Sequence, residues 1–192
     1  MTTPSAVAPA PAETRLAHAL PLRRRVALAS ALALAPVALW RFGLGAEGFV
    51  GIFFFGALAV LAVKDLETRR IPNVIVLPAA AIVLAAVAVL RPGHAVEAVA
   101  AALAAAAFFV VPSIITKDGV GFGDVKLAFL LGAALGRGVA PALLLGCLAV
   151  SFVGVVLIVR HGSAARKTAL PFAPFLALGA VVAVALGAPH AL

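Results

Sequence analysis

Residues 74–90 read VIVLPAAAIVLAAVAVL, a run with no charged or amide side chain, set between Arg69-Arg70 on one side and Arg91 on the other. A helix needs about 20 mostly apolar residues to cross a bilayer, and only a helix or a closed barrel keeps every backbone polar group paired there. The pattern repeats along the chain. Uncharged apolar runs fall at 26–40, 48–63, 74–90, 98–116, 127–136, 138–159 and 168–189. With 65% hydrophobic residues, 11% charged residues and a mean hydropathy of +1.20, the composition is far from that of a soluble domain. The expected fold class is all-α, a polytopic transmembrane bundle of about seven helices. The fifth run is short, and the seventh carries Pro171 and Pro174 near its start, where a local kink is expected.

Residues 1–22 are rich in Ala, Pro and Thr without hydrophobic periodicity and read as a mobile cytoplasmic tail, leaving 23–192 as a single transmembrane domain. The basic run Arg23-Arg24-Arg25 before an apolar stretch also has the outline of a cleavable signal. The long region before it and the membranous character of everything after it favour a retained first helix.

The formal charge of +8 and pI near 11.4 come from small basic clusters between apolar runs, with no basic stripe interleaved with aromatics, so nucleic acid is not an expected partner. The clusters read as topology signals. On alternate sides of a seven-helix chain, Arg15, Arg23, Arg24, Arg25, Lys64, Arg69, Arg70, Lys117, Lys126, Arg160, Arg166 and Lys167 fall together, against Arg41, Arg91 and Arg137 on the other side. Twelve against three places the amino terminus in the cytoplasm, the carboxyl terminus in the periplasm and the chain in the inner membrane.

No apolar run carries a central charge, which argues against a proton relay or ion path. His18, His94, His161 and His190 lie outside the runs, and the single cysteine, Cys147, supports neither a disulfide framework nor a zinc site of Cys pairs. No metal or cofactor is expected. Of the seven acidic residues, Glu13 falls in the tail, Glu47 and Glu97 on the periplasmic side, and Glu67 among the arginines of a loop, all read as solvated charge. Asp65 ends the second helix and Asp124 begins the fifth, with two complete crossings between them. Both therefore come to the cytoplasmic boundary. Two carboxyl groups close enough to share one proton can hydrolyse a peptide: the ionised one takes a proton from attacking water while the neutral one donates to the developing oxyanion. Position alone leaves another reading open, in which Asp124 after Gly121-Phe122-Gly123 caps a helix and Asp65 marks a helix end.

The local sequences bear on that choice. Asp65-Leu66-Glu67-Thr68-Arg69-Arg70-Ile71-Pro72-Asn73 resembles the first motif of the prepilin peptidase family, an aspartate followed by an Arg-x-Ile-Pro-Asn run. Gly119-Val120-Gly121-Phe122-Gly123-Asp124-Val125-Lys126-Leu127 resembles its Gly-x-Gly-Asp motif with the trailing Val-Lys-Leu, shared in shorter form with other intramembrane aspartyl proteases. Pro171-Phe172-Ala173-Pro174-Phe175-Leu176-Ala177-Leu178-Gly179 is similar to its Pro-Phe-Gly-Pro-Phe-Leu run, with Ala173 where the family usually has glycine. The resemblance covers about residues 48–188. It implies a six-helix peptidase core plus one amino-terminal helix, Asp65 and Asp124 as the catalytic aspartates, and removal of leader peptides from prepilin or pseudopilin precursors at the cytoplasmic face. Larger family members carry a cytoplasmic region, often with paired cysteines, associated with methylation; this sequence resembles the short peptidase-only members of tight-adherence (Flp-type) pilus systems.

Residue chemistry adds expectations around the pair. Gly121 and Gly123 permit tight turns and close backbone approach. Pro72 and Asn73 suit a sharp entry into the third helix, with Asn73 as N-cap. Arg69, Arg70 and Lys126 read as anchors to anionic lipid headgroups rather than substrate contacts, and Glu67 or Asp118 suits a basic leader better. Asp65 at a helix carboxyl end and Asp124 at an amino end make Asp65 the expected neutral member and Asp124 the ionised one. Two rival classes remain, a small membrane transporter or channel and a non-enzymatic assembly component of a pilus or secretion system.

Overall fold

A computed structural model describes residues 30, 34–115, 121–161, 170–190 and 192. The expectations for the tail 1–22, the run Arg23-Arg24-Arg25, Asp118 and the basic loop at 162–169 lie outside the described residues. The described chain is helical without strands: α1 over 34–42, α2 Ala46–Thr68, α3 Asn73–Leu90, α4 Ala95–Ile115, α5 Phe122–Leu135, α6 Val139–His161 and α7 Ala173–Ala185. Short 3-10 turns, Pro92–His94 and Gly136–Gly138, join α3 to α4 and α5 to α6. Among the described residues, four apolar helical stretches are long enough to cross a membrane, Ala46–Thr68, Asn73–Leu90, Pro92–Ile115 and Phe122–Arg160, the last holding α5, its turn and α6. The protein is a multi-pass helical membrane bundle.

Apolar composition cannot by itself draw helices together in lipid, so close backbone approach has to do so. Gly132 of α5 lies against α4 so tightly that an added Cβ would stand 2.5 Å from the Ala101 carbonyl oxygen. Gly179 of α7 meets α6 closer still, with a Cβ 2.2 Å from the Ala142 oxygen. α5 is the inner helix; Leu127, Ala128, Leu130, Leu131, Ala133 and Ala134 are buried around its whole circumference. Phe49, Val89, Val96, Phe108, Phe152 and Val159 point outward, as they can where the solvent is hydrocarbon.

Side-chain contacts sort the helix ends into two groups. At one end Arg91 makes a two-pronged bond to Glu47, 2.8 Å for each nitrogen. Beside it Glu97 accepts the Arg137 backbone N–H at 3.1 Å and lies 3.5 Å from His94, while Arg41 Nη2 donates to the Gly187 and Ala188 carbonyls at 3.3 and 3.4 Å. Glu47 and Glu97 are thus bridge partners, where the sequence reading treats them as separately solvated charge. The opposite end gathers the last turns of α2 with the starts of α3, α5 and α7.

Several boundaries differ from the expected ones. α2 runs on through Glu67, which sits in its last turn 3.1 Å from Lys64 instead of in a loop. α5 starts five residues earlier than the apolar run, because the chain turns helical directly after Gly121. α7 occupies only Ala173–Ala185, and Pro171 and Pro174 begin it rather than kink it; Pro174 sits in the first turn, where a missing N–H is harmless. Pro72 is the N-cap of α3, so Asn73 is its first helical residue and not its cap.

Candidate active site

α2 ends where Arg69 takes a left-handed conformation, φ 51° and ψ 33°, and returns its N–H to the Asp65 carbonyl at 2.8 Å. The chain then leaves helix over residues 70–72, where Pro72 is itself extended, φ −71° and ψ 126°, and disfavours helix at the residue before it. This turn directs Ile71 inward, 9% exposed, beneath the first turn of α5. Gly123 is the counterpart there: a Cβ on it would lie 2.9 Å from Ile71 Cβ. Gly121 has no such constraint, with φ −76°, ψ 152° and only a 3.9 Å approach to an Asp124 carboxylate oxygen. Of the two glycines expected to permit close approach, only Gly123 is packed that way.

This packing brings Asp65 and Asp124 to one cavity of about 300 Å³, also lined by Arg69, Arg70, Asn73, Gly121 and Gly123. Asp124 is the third residue of α5, and its N–H bonds the Gly121 carbonyl at 2.9 Å. Asp65 is 5% exposed and is the one charged residue buried among those described. A buried carboxylate is costly unless a donor meets it. The donor is the Ala173 backbone N–H, 2.9 Å from Asp65 Oδ2, at the first residue of α7. The Phe172 ring fixes this helix start by standing edge-on to Phe109 of α4, centroids 5.8 Å apart.

The Pro171-to-Gly179 run therefore reaches the site through its backbone, a role that the sequence reading missed. Its one signal was the proline at a helix start, which marks a turn whose N–H groups lack intrahelical partners. The bond also changes the helix-end argument. Asp65 lies near the carboxyl end of α2 but is held by the amino end of α7, so opposing dipole ends act on it and the contrast with Asp124 is lost.

Lys126 does not line the cavity; its Nζ donates to Asn73 Oδ1 at 2.7 Å, tying the start of α5 to the start of α3. An adjoining groove of about 840 Å³ shares Arg70, Ile71 and Asn73 and adds Lys64, Thr68, Pro72 and Ile75. A separate cavity of about 470 Å³ between α4 and α6, with Phe108, Leu143 and Cys147 in its wall, is apolar and is lined by no carboxyl group. Among the described residues no three His, Cys, Asp or Glu side chains converge as metal ligands do.

A polytopic bundle with two carboxylates facing one cavity at the helix ends belongs to the class of membrane proteins with a paired-acid site. Residues 52–159 match the type IV leader peptidase family, and the chain belongs to that family. It is 34% identical over 152 residues to the prepilin leader peptidase/N-methyltransferase of Bacillus subtilis, covering 77% of this chain and 59% of that protein. The Pseudomonas putida protein of the same description is 35% identical over 161 residues, 80% of this chain and 55% of its own. The chain thus spans somewhat over half the length of these relatives. No solved structure matches it.

Proposed function

We propose that this chain is an aspartyl endopeptidase that removes the leader from type IV prepilin-like, Flp-type precursors at the cytoplasmic face of the bacterial inner membrane. The observation that carries the reading is the shared cavity: Asp65 and Asp124 come from helices two crossings apart and line one space, with no third acid among the described residues that line it. One carboxylate accepts a proton from water as the oxygen adds to the scissile carbonyl. The other, protonated, donates to the oxyanion, and a proton then passes to the departing amine. Two carboxyl groups at short range favour this singly protonated state, since both ionising would set like charges together. Residues 23–192 act as one membrane domain. Arg70 and Lys126 meet anionic headgroups beside the mouth. The relatives' description also names N-methylation; the proposal for this chain concerns peptide cleavage alone.

The test is mass-resolved leader cleavage by the full chain in lipid nanodiscs. Asp65→Asn and Asp124→Asn should each abolish it, because an amide keeps the shape but cannot shuttle the proton, while the variants insert and accumulate normally. Cleavage retained by either variant would refute the dyad. A transporter or assembly component would tolerate both changes.

A further inference from the structure

We infer that the amino end of α7, acting through the Ala173 backbone N–H, is a positioning element that commits Asp65 Oδ2 to the protein and leaves Oδ1 as its proton-exchanging oxygen. The inference rests on the peptidase reading above. It starts from the few donors this helix start has to give. Pro174 has no N–H, and the Phe175 and Leu176 N–H groups both turn back to the Phe172 carbonyl at 3.1 Å. Only the Ala173 N–H is left at the tip, and a first-turn donor has no acceptor within its own helix. In a dry interior it must find one. Asp65 Oδ2 is that acceptor, 108 residues away in the chain and at 2.9 Å.

One fixed N–H on one oxygen sets the rotation of the whole carboxyl group. Oδ1 is then the oxygen available to Asp124 and to water. Ala173 is completely buried and Phe172 is braced on Phe109, so the donor has little freedom to follow Asp65 if that side chain turns. A donated N–H also favours the carboxylate over the acid.

The test removes one hydrogen-bond donor and no side chain: an amide-to-ester replacement, Ala173→lactic acid, introduced by nonsense suppression in cell-free synthesis of the full chain into nanodiscs. Leu176→leucic acid serves as control, since it weakens the same helical turn without touching Asp65. For the Ala173 ester we expect kcat for leader cleavage to fall about tenfold or more. KM should stay within about twofold. The acid limb of the kcat profile should move up by roughly one to two pH units, the size expected for one bond to a charged group. The Leu176 ester should move neither kcat nor the limb. An Ala173 ester with the wild-type acid limb overturns the inference, as does an equal shift in the Leu176 control. Asp65→Asn and Asp124→Asn are run alongside. If both lose cleavage while the Ala173 ester behaves as wild type, this inference alone fails; if either retains cleavage, the peptidase reading fails and takes the inference with it.

Discussion

Gly123 and Gly121 carry the same motif letter but different structural loads, and replacing each by alanine separates them. On Gly123 a new Cβ would stand 2.9 Å from Ile71 Cβ, 3.3 Å from Cγ1 and 3.5 Å from Cδ1. Carbon atoms rest at about 3.5–4.0 Å, so the start of α5 and the α2–α3 turn must separate by about 0.6–1.1 Å. Ile71 Cβ is tied directly to backbone and cannot swing aside. Overpacking of this kind costs about 1–3 kcal/mol, offset by about 1 kcal/mol from the better helix propensity of alanine. Net stability therefore falls by about 0–2 kcal/mol. Catalysis does not enjoy that offset, because the displaced turn carries Asp124 and the fixed one follows Asp65; a shift near 1 Å at reacting groups costs about 100-fold. On Gly121 the new Cβ meets nothing closer than 3.9 Å, and its φ of −76° suits any residue. We expect Gly123→Ala to lose about 100-fold in kcat with thermal unfolding within a few degrees of wild type, and Gly121→Ala to stay within about threefold. Cleavage in nanodiscs and circular dichroism measure the two quantities. Wild-type kcat in Gly123→Ala, or an equal loss in Gly121→Ala, would show that packing against Ile71 does not place Asp124.

Gly179→Ala should act on folding instead, because its Cβ would sit 2.2 Å from the Ala142 oxygen and 2.6 Å from the Gly146 nitrogen, both backbone atoms; limited proteolysis of membranes should show a loosened α6–α7 pair, and normal protection would contradict the close packing. His190 lies beyond α7, edge-on to Phe42, with a bond to the Leu192 carbonyl. Burial holds its pKa below the ordinary 6.5, helped by Arg41 and Arg91 and opposed by the Leu192 bond and Glu47. The unfolded chain then binds the proton first, so stability present above about pH 6.5 is lost as pH falls, and His190→Phe should flatten that part of the stability profile; an unchanged slope would exclude His190 as a source. For orientation, a periplasm-active reporter fused after Leu192 should be active and one inserted at 161–163 inactive; the reverse pattern would invert the proposed topology.

The long helices were legible because lipid imposes a demand that shows in composition: α2, α3, α4 and α6 each contain an uncharged run that marks the helix within a few residues of its ends. The meeting of Asp65 and Asp124 was legible by counting crossings, which needs no knowledge of contacts. The turn chemistry was not. The expected start of the fifth helix is Asp124, yet α5 begins two residues earlier at Phe122, which puts the acid inside the first turn at the positive end of the helix. Asn73 was assigned a local capping role, whereas its partner is Lys126, 53 residues on. Glu47 looked like free charge because its partner Arg91 is 44 residues away. The Ala173 donor left hardly any trace, being a backbone group whose importance depends on what faces it.

Depth within the bundle explains why two short helices serve the site. Asp65 lies eighteen residues on from Glu47, about 27 Å along α2, and Asp124 eleven residues before Leu135, about 17 Å along α5. Both distances fall short of the hydrocarbon thickness of about 30 Å. α5 with 14 residues and α7 with 13 begin beside the pair, with Asp124 in the first turn of α5 and the Ala173 N–H of α7 bonded to Asp65 Oδ2. Non-helical backbone at membrane depth is tolerated only where protein buries it or water reaches it. Both conditions hold here: Ile71 is buried beneath Gly123, and the groove of Lys64, Thr68, Arg70 and Asn73 opens from the same turn. The starts of α5 and α7 thus meet at the Asp65–Asp124 cavity, while the Arg91–Glu47 and Arg137–Glu97 bridges join helix ends at the opposite end of the bundle.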